Sequence, residues 1–165
     1  MLIIGAHKCG TMSLQKHYEA QGCDVVRNTQ LFTRWDGPKV YKRKYADFIP
    51  VVILREPVER AWADYHHRLR RDMIEHDIPY EQYCKMKDIY PNHENHDYLK
   101  LGELNIIEIS KYKQWLDNWH EINPLVLRLE EMKHDDGFPT FNAGWHVGIT
   151  QEQQKFTRDL IDNLD

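Results

Sequence analysis

Apolar positions along the 165-residue chain change period several times, and each change predicts an element. Leu2 to Ile4 is an unbroken apolar run closed by Gly5, the pattern of a strand covered on both faces. From residue 11 to residue 21 the spacing turns helical, with Thr11 and Ser13 in the first turn and Gly22 as the stop. Cys23 to Arg27 predicts a second short strand, followed by an irregular stretch through Trp35, Asp36, Gly37 and Pro38. The run VVIL at 51 to 54, introduced by Pro50 and ended by Arg55, is the plainest strand in the chain. Behind it Pro57 suits a first helical turn, and Val58, Ala61, Trp62, Tyr65 and Leu69 recur at helical spacing.

The second half is less regular. Residues 76 to 100, rich in His, Tyr, Asp and Asn, predict a partly irregular excursion with a short helix around Tyr80 to Met86. Residues 103 to 121 return to a helical period, with Tyr112, Trp115, Leu116 and Trp119 on one stripe, and LVLRL at 125 to 129 is strand-like again. The stretch from Thr150 to Leu164 opens with TQEQ, a helix-start signal. Apolar strands alternating with helices, without an internal repeat or linker, imply an α/β fold. The expectation is three layers, a central parallel sheet with helices on both faces, in one domain spanning 1 to 165.

Charge narrows the function. With 22 basic and 26 acidic residues the net charge is −4, which argues against a nucleic-acid partner bound by phosphate neutralisation. Any anion site must be local. Cys9, Cys23 and Cys84 are odd in number and lack CxxC spacing, so neither a disulfide framework nor a cysteine zinc site is favoured, and a reducing compartment fits. The first apolar run is too short for a signal-peptide core or a membrane span, so a cytoplasmic protein with no membrane partner is expected. His93 and His96 in NHENH have a spacing seen in metal sites, but no further ligand is evident there and no metal is expected.

The stretch GAHKCGTMSL carries the chemistry. At a turn from strand to helix, successive backbone N–H groups point into one concavity and the helix dipole adds positive potential, so a tetrahedral oxyanion can sit there. Gly5 and Gly10 permit close approach. Lys8 projects from within the loop, and His7, Cys9, Thr11, Met12 and Ser13 complete a cradle of P-loop nucleotide-binding-like form. A nucleotide-hydrolysing loop would place its lysine where Thr11 stands. Read by itself, the stretch also describes a plain strand-to-helix turn with an exposed lysine. Arg55 is the second feature, an arginine at the C-terminal end of a buried strand, where α/β sheets bind ligands and a guanidinium can fork onto phosphate. A pairing of Arg55 with Glu56 or Glu59 is the alternative.

These two stretches resemble the sulfotransferases that use 3′-phosphoadenosine 5′-phosphosulfate, PAPS, closest to the carbohydrate and heparan sulfate type and its bacterial relatives. IIGAHKCGTMSLQKHYEAQG is similar to the family's 5′-phosphosulfate loop, and the resemblance implies that Lys8 contacts the donor and assists the leaving group. VVILREPVERAWADYHH resembles the 3′-phosphate motif, in which an arginine and a serine eight residues later hold the phosphate. Arg55 matches the arginine, and Ala63 occupies the serine position, so one expected contact is missing. YKQWLDNW at 112 to 119 and VLRLEEM at 126 to 132 are similar to the helix and the strand with acidic turn that close the family's core. A glutamate soon after the first helix serves related enzymes as base, whereas this chain has Arg27, Asn28, Thr29 and Gln30.

The resemblance implies sulfuryl transfer from PAPS, without a metal, to a hydroxyl or amine of a glycan or small molecule. Asp36 and His66 are the candidate bases, with His67 beside the latter; an imidazole is suited by an intrinsic pKa near ~6.5. The basic run Lys39, Lys42, Arg43 and Lys44 is either a solvated face or an attraction for an anionic acceptor. Two other readings stand beside this one: a nucleotide kinase-like enzyme with an altered phosphate loop, and a catalytically silent nucleotide-binding module of the same fold.

Overall fold

Four parallel strands carry the apolar runs of the sequence. In the structure, a computed structural model that describes residues 1–75, 106–132, 138–139 and 151–162, β1 (Leu2–Gly5), β2 (Val26–Arg27), β3 (Pro50–Leu54) and β4 (Leu125–Arg128) lie in the order β2-β1-β3-β4. Every pair is parallel, with Leu2 opposite Val26 and Pro50, and Val51 opposite Leu125. Parallel neighbours need crossovers, and helices supply them. They are α1 (Thr11–Ala20), α2 (Gly37–Lys44), α3 (Pro57–Glu75), α4 (Ile106–Ser110), α5 (Tyr112–Asn118), α6 (Leu129–Met132) and α7 (Gln151–Asp162). The fold is α/β. The excursion of residues 76 to 100, with its short helix, lies outside the described residues.

The chain divides into two compact units, Met1–Glu56 with Lys111–Asn142, and Pro57–Ser110 with Ala143–Asp165. The first holds the sheet. Leu2, Ile3, Ile4, Val51, Val52 and Ile53 are fully buried, as the unbroken apolar runs require of strands covered on both faces. β4 differs, because Leu125 and Val126 are 50% and 42% exposed. It pairs with β3 on one side only among the described residues.

Two elements depart from the sequence pattern. Gly37 and Pro38 begin α2 where an irregular stretch is expected; a proline in the first turn costs no intrahelical hydrogen bond. Tyr41 turns inward while Lys42, Arg43 and Lys44 face solvent, and the Tyr41 hydroxyl donates to the Phe48 carbonyl at 2.7 Å. Tyr41 meets the buried Trp119 edge to face at 5.9 Å, and the Trp119 indole N–H donates to the Phe32 carbonyl at 3.1 Å. The single helix expected over 103 to 121 is, over its described part, two helices that break at Lys111, φ −77 and ψ 73. Ser110 supplies a cause, since its hydroxyl donates to the Ile106 carbonyl at 3.1 Å and competes with the helical ladder. That break is also the boundary between the units.

The second unit is helical, as far as its described residues go. Val58, Ala61, Trp62 and Tyr65 of α3 pack with Ile106 and Ile107 of α4, and Phe156, Leu160 and Ile161 of α7 close the cluster. The Trp62 indole N–H donates to the buried Thr157 hydroxyl at 3.0 Å. Within this apolar setting Arg60 and Asp64 are both fully buried. The Arg60 guanidinium donates to Asp64 Oδ2 at 3.3 Å, to Ser110 Oγ at 2.9 Å and to the Ile106 carbonyl. α3 and α4 are therefore joined by a charge as well as by apolar packing. Removing one member of a buried pair leaves the other uncompensated, which costs about 3–5 kcal/mol. Asp64→Ala should destabilise the protein by that amount in denaturant unfolding, and Asp64→Asn, which retains an acceptor for Arg60, by less.

Candidate functional site

The strand order fixes where a ligand can sit. The chain leaves β1 toward β2 on one side and returns to β3 on the other, so a topological switch point lies at the C-terminal ends of β1 and β3. Gly5 is opposite Ile53 in the ladder. The loop Ala6–Gly10 and Arg55 thus leave the same end of two adjacent strands, and both belong to the first unit.

The loop is tightly held. The Cys9 N–H turns back onto the Ala6 carbonyl at 3.3 Å, and α1 begins with the Leu14 N–H on the Gly10 carbonyl at 3.0 Å. Lys8 has φ 69, a left-handed conformation that costs a side-chain-bearing residue about 1–2 kcal/mol. It is half-buried, between an exposed His7 and a fully buried Cys9. Gly10 is also left-handed, φ 85 and ψ 19, and offers α1 no side-chain cap. Beyond it Thr11 and Ser13 are buried and Met12 is half-buried. The positive end of α1 has no acidic residue in its first turn to oppose an anion.

Both glycines are closely packed, Gly5 against main chain and Gly10 against a side-chain methyl. A Cβ on Gly5 would lie 2.9 Å from the Ile53 carbonyl oxygen and 3.1 Å from Thr11 Cγ2, so the loop leaves the sheet against β3 itself. A Cβ on Gly10 would lie 2.7 Å from Leu129 Cδ1. Leu129 is buried, and the next residue, Glu130, accepts a hydrogen bond from the backbone N–H of Glu56 at 2.9 Å. Tyr112, at the start of α5, reaches the loop from elsewhere, with its hydroxyl 3.4 Å from Cys9 Sγ. None of these three supports stands out in the sequence beyond the acidic pair that follows LVLRL.

Of the residues singled out from the sequence, Lys8, its loop neighbours and Arg55 come to the same strand ends. Arg55 is half-buried. Asp36 belongs to the same unit but is committed elsewhere: Arg34 donates Nε–H to Oδ1 at 2.8 Å and an Nη2 proton to Oδ2 at 2.7 Å. This hydrogen-bonded pair, with a smaller contribution from the charge of Arg43, holds the Asp36 carboxyl below the usual carboxylate range. A base so paired has little affinity for a proton near neutrality. α5 touches both regions, because its Asn118 amide donates to the carbonyls of Arg34 and Trp35 at 3.1 and 3.4 Å while its Tyr112 reaches Cys9.

Ala63 and His66 lie on α3, in the second unit. Ala63 is buried at 7% exposure, and the side chain of His66 lies outside the described residues. So do His93, His96 and Cys84. Among the described residues no group of three or more His, Cys, Asp or Glu side chains is placed to hold a metal ion, and no helix is long and apolar enough to cross a membrane. Compared with known proteins, the chain matches no family model and no curated protein.

Gly10→Ala should cost about 1–2 kcal/mol for the left-handed backbone, plus the displacement of Leu129. In a Leu129→Ala background the second cost disappears, so the two substitutions should couple by about 0.5–3 kcal/mol in denaturant unfolding. Simple additivity would show that Leu129 does not press on the loop.

Proposed function

We propose that the protein is a PAPS-dependent sulfotransferase, moving a sulfuryl group to a hydroxyl or amine of a glycan or small-molecule acceptor in a reducing, cytoplasmic setting. The observation that carries this reading is Lys8, held at φ 69 inside a glycine-bounded loop at the switch point, with Arg55 at the end of the adjacent strand. Backbone strain at such a place is retained where it positions a group for chemistry. A lysine inside the loop, with Thr11 in the position where a triphosphate-gripping lysine would stand, favours a sulfuryl donor over the kinase-like alternative. The reading also takes the sheet as the centre of a three-layer, P-loop-like fold.

On this reading the amides at the start of α1 hold the 5′-phosphate and Arg55 holds the 3′-phosphate. Sulfuryl transfer is treated as an in-line displacement with a loose transition state, in which positioning and charge stabilisation supply most of the rate. The acceptor oxygen or nitrogen forms its bond to sulfur as the bond from sulfur to the bridging oxygen breaks. Lys8 meets the charge that collects on that leaving oxygen. The acceptor proton must go to a base, a role for which the ion-paired Asp36 is poorly suited. The local cations Lys39, Arg43 and Lys44, all exposed, would favour an anionic acceptor on a chain of net charge −4.

Calorimetry tests the donor. Adenosine 3′,5′-bisphosphate should bind more tightly than AMP, and Arg55→Ala should remove about 1.5–3 kcal/mol of that difference; equal affinities in the unmodified protein would sink the assignment.

Kinetics tests Lys8. With donor saturating and an acceptor found by screening, Lys8→Ala should lower single-turnover sulfuryl transfer by on the order of a hundredfold, with a smaller loss of bisphosphate affinity. An unchanged rate with weaker binding would reduce Lys8 to a phosphate grip, and bisphosphate binding without turnover on any acceptor would favour the silent module.

A further inference from the structure

Immediately after β4 two consecutive residues touch both halves of the candidate site. Leu129 fills the space over Gly10, at the junction of the loop with α1. Glu130 Oε1 takes the backbone N–H of Glu56, the residue that follows Arg55, at 2.9 Å. The ladder between β3 and β4 extends to Leu54 opposite Arg128. Beyond that pair β4 runs directly into α6 and β3 into the Arg55–Glu56 connection, and the contact from Glu130 to Glu56 ties the start of α6 to that connection.

The choice of a carboxylate here has a cost. Glu130 is exposed, and its negative charge beside Arg55 opposes an anionic ligand. An ionised acceptor, however, makes a shorter and stronger hydrogen bond to an N–H than a neutral one does. The arrangement gains fixed geometry at the expense of field, which suits a site where two cationic groups must stand at one separation to read two phosphates on one ligand.

We infer that Glu130, backed by Leu129, is a positioning residue for Arg55, setting the spacing between the loop and the Arg55 turn on which selection of a 3′-phosphate depends. This rests on the donor reading above. The residue acts through the backbone of Glu56 and has no contact with the ligand assigned to it. Reach decides whether the contact forms, and the charge adds strength to it. Glutamine keeps the reach and loses the charge; aspartate keeps the charge and stops one methylene short.

The full chain is titrated calorimetrically with adenosine 3′,5′-bisphosphate and with AMP, for the unmodified protein and for Glu130→Gln, Glu130→Asp and Glu130→Ala, with a thermal melt of each. The unmodified protein and Glu130→Gln should prefer the bisphosphate by similar factors. Glu130→Asp and Glu130→Ala should lose about tenfold or more of that preference, since small misplacements of an orienting group are costly, while AMP affinity, read by the loop, changes little. Should Glu130→Ala fail to fold, Glu130→Asp carries the comparison; if neither folds, the contact is structural and the inference is overturned. A preference retained in Glu130→Asp and Glu130→Ala overturns it, and so does a loss in Glu130→Gln as large as in Glu130→Ala. Equal affinity for the two ligands in the unmodified protein overturns the donor reading instead, and this inference with it.

Discussion

The contact between β1 and β3 governs everything else in the first unit. Gly5 lies against the Ile53 carbonyl at a separation no side chain could tolerate, so the loop after β1 and the arginine after β3 emerge side by side. Parallel pairing makes this possible, because it sends both chains out at the same edge of the sheet. An antiparallel pair would have put the loop and Arg55 at opposite ends. The glycine is thus a requirement of packing, and the juxtaposition of Lys8 with the Arg55 turn is its result.

A chain with more acidic than basic residues can attract an anion only by concentrating positive potential. On the proposed reading, that concentration would come from fixed backbone as much as from side chains. The start of α1 lacks both an acidic first-turn residue and a side-chain cap, and Lys8 is kept at a positive φ that an unconstrained lysine would leave. Supports for the site come from far along the chain: Tyr112 on Cys9, Leu129 on Gly10 and Glu130 on Glu56. The second unit solves a different electrostatic problem. Arg60 is surrounded by Asp64, Ser110 and the Ile106 carbonyl, so its charge is matched locally and serves cohesion.

Strands β1 and β3 and helices α1 and α3 are legible in the sequence because their periodicity is driven by burial on defined faces. α2 is not, since Gly37 and Pro38 read as a turn until it is seen that the proline falls in a first helical turn. The helix over 103 to 121 appears continuous in its apolar stripe, yet a single serine back-bond at Ser110 and the backbone of Lys111 divide it. Lys8 and Arg55 stand out because a lysine between two glycines and an arginine after a buried strand are local patterns. Glu130 does not, because its partner is a main-chain N–H 74 residues away, and nothing in a residue's identity announces a contact of that kind. Asp36 illustrates the converse: its sequence position fits a base, while its neighbour Arg34 lowers the proton affinity that a base needs.

The strand order also dictates how this protein must be assembled during synthesis. β1 precedes its neighbours in the chain but lies inside the sheet, and it can pair with β3 only after Pro50 has left the ribosome; Val51 in turn waits for Leu125. At on the order of ten residues per second, the open edge of β3, with its run of Val51, Val52 and Ile53, stays unpaired for several seconds on each nascent chain. An unpaired apolar edge is a template for intermolecular strand addition. The arrangement that brings the two cationic stretches together therefore leaves this edge of β3 open on the growing chain until β4 arrives.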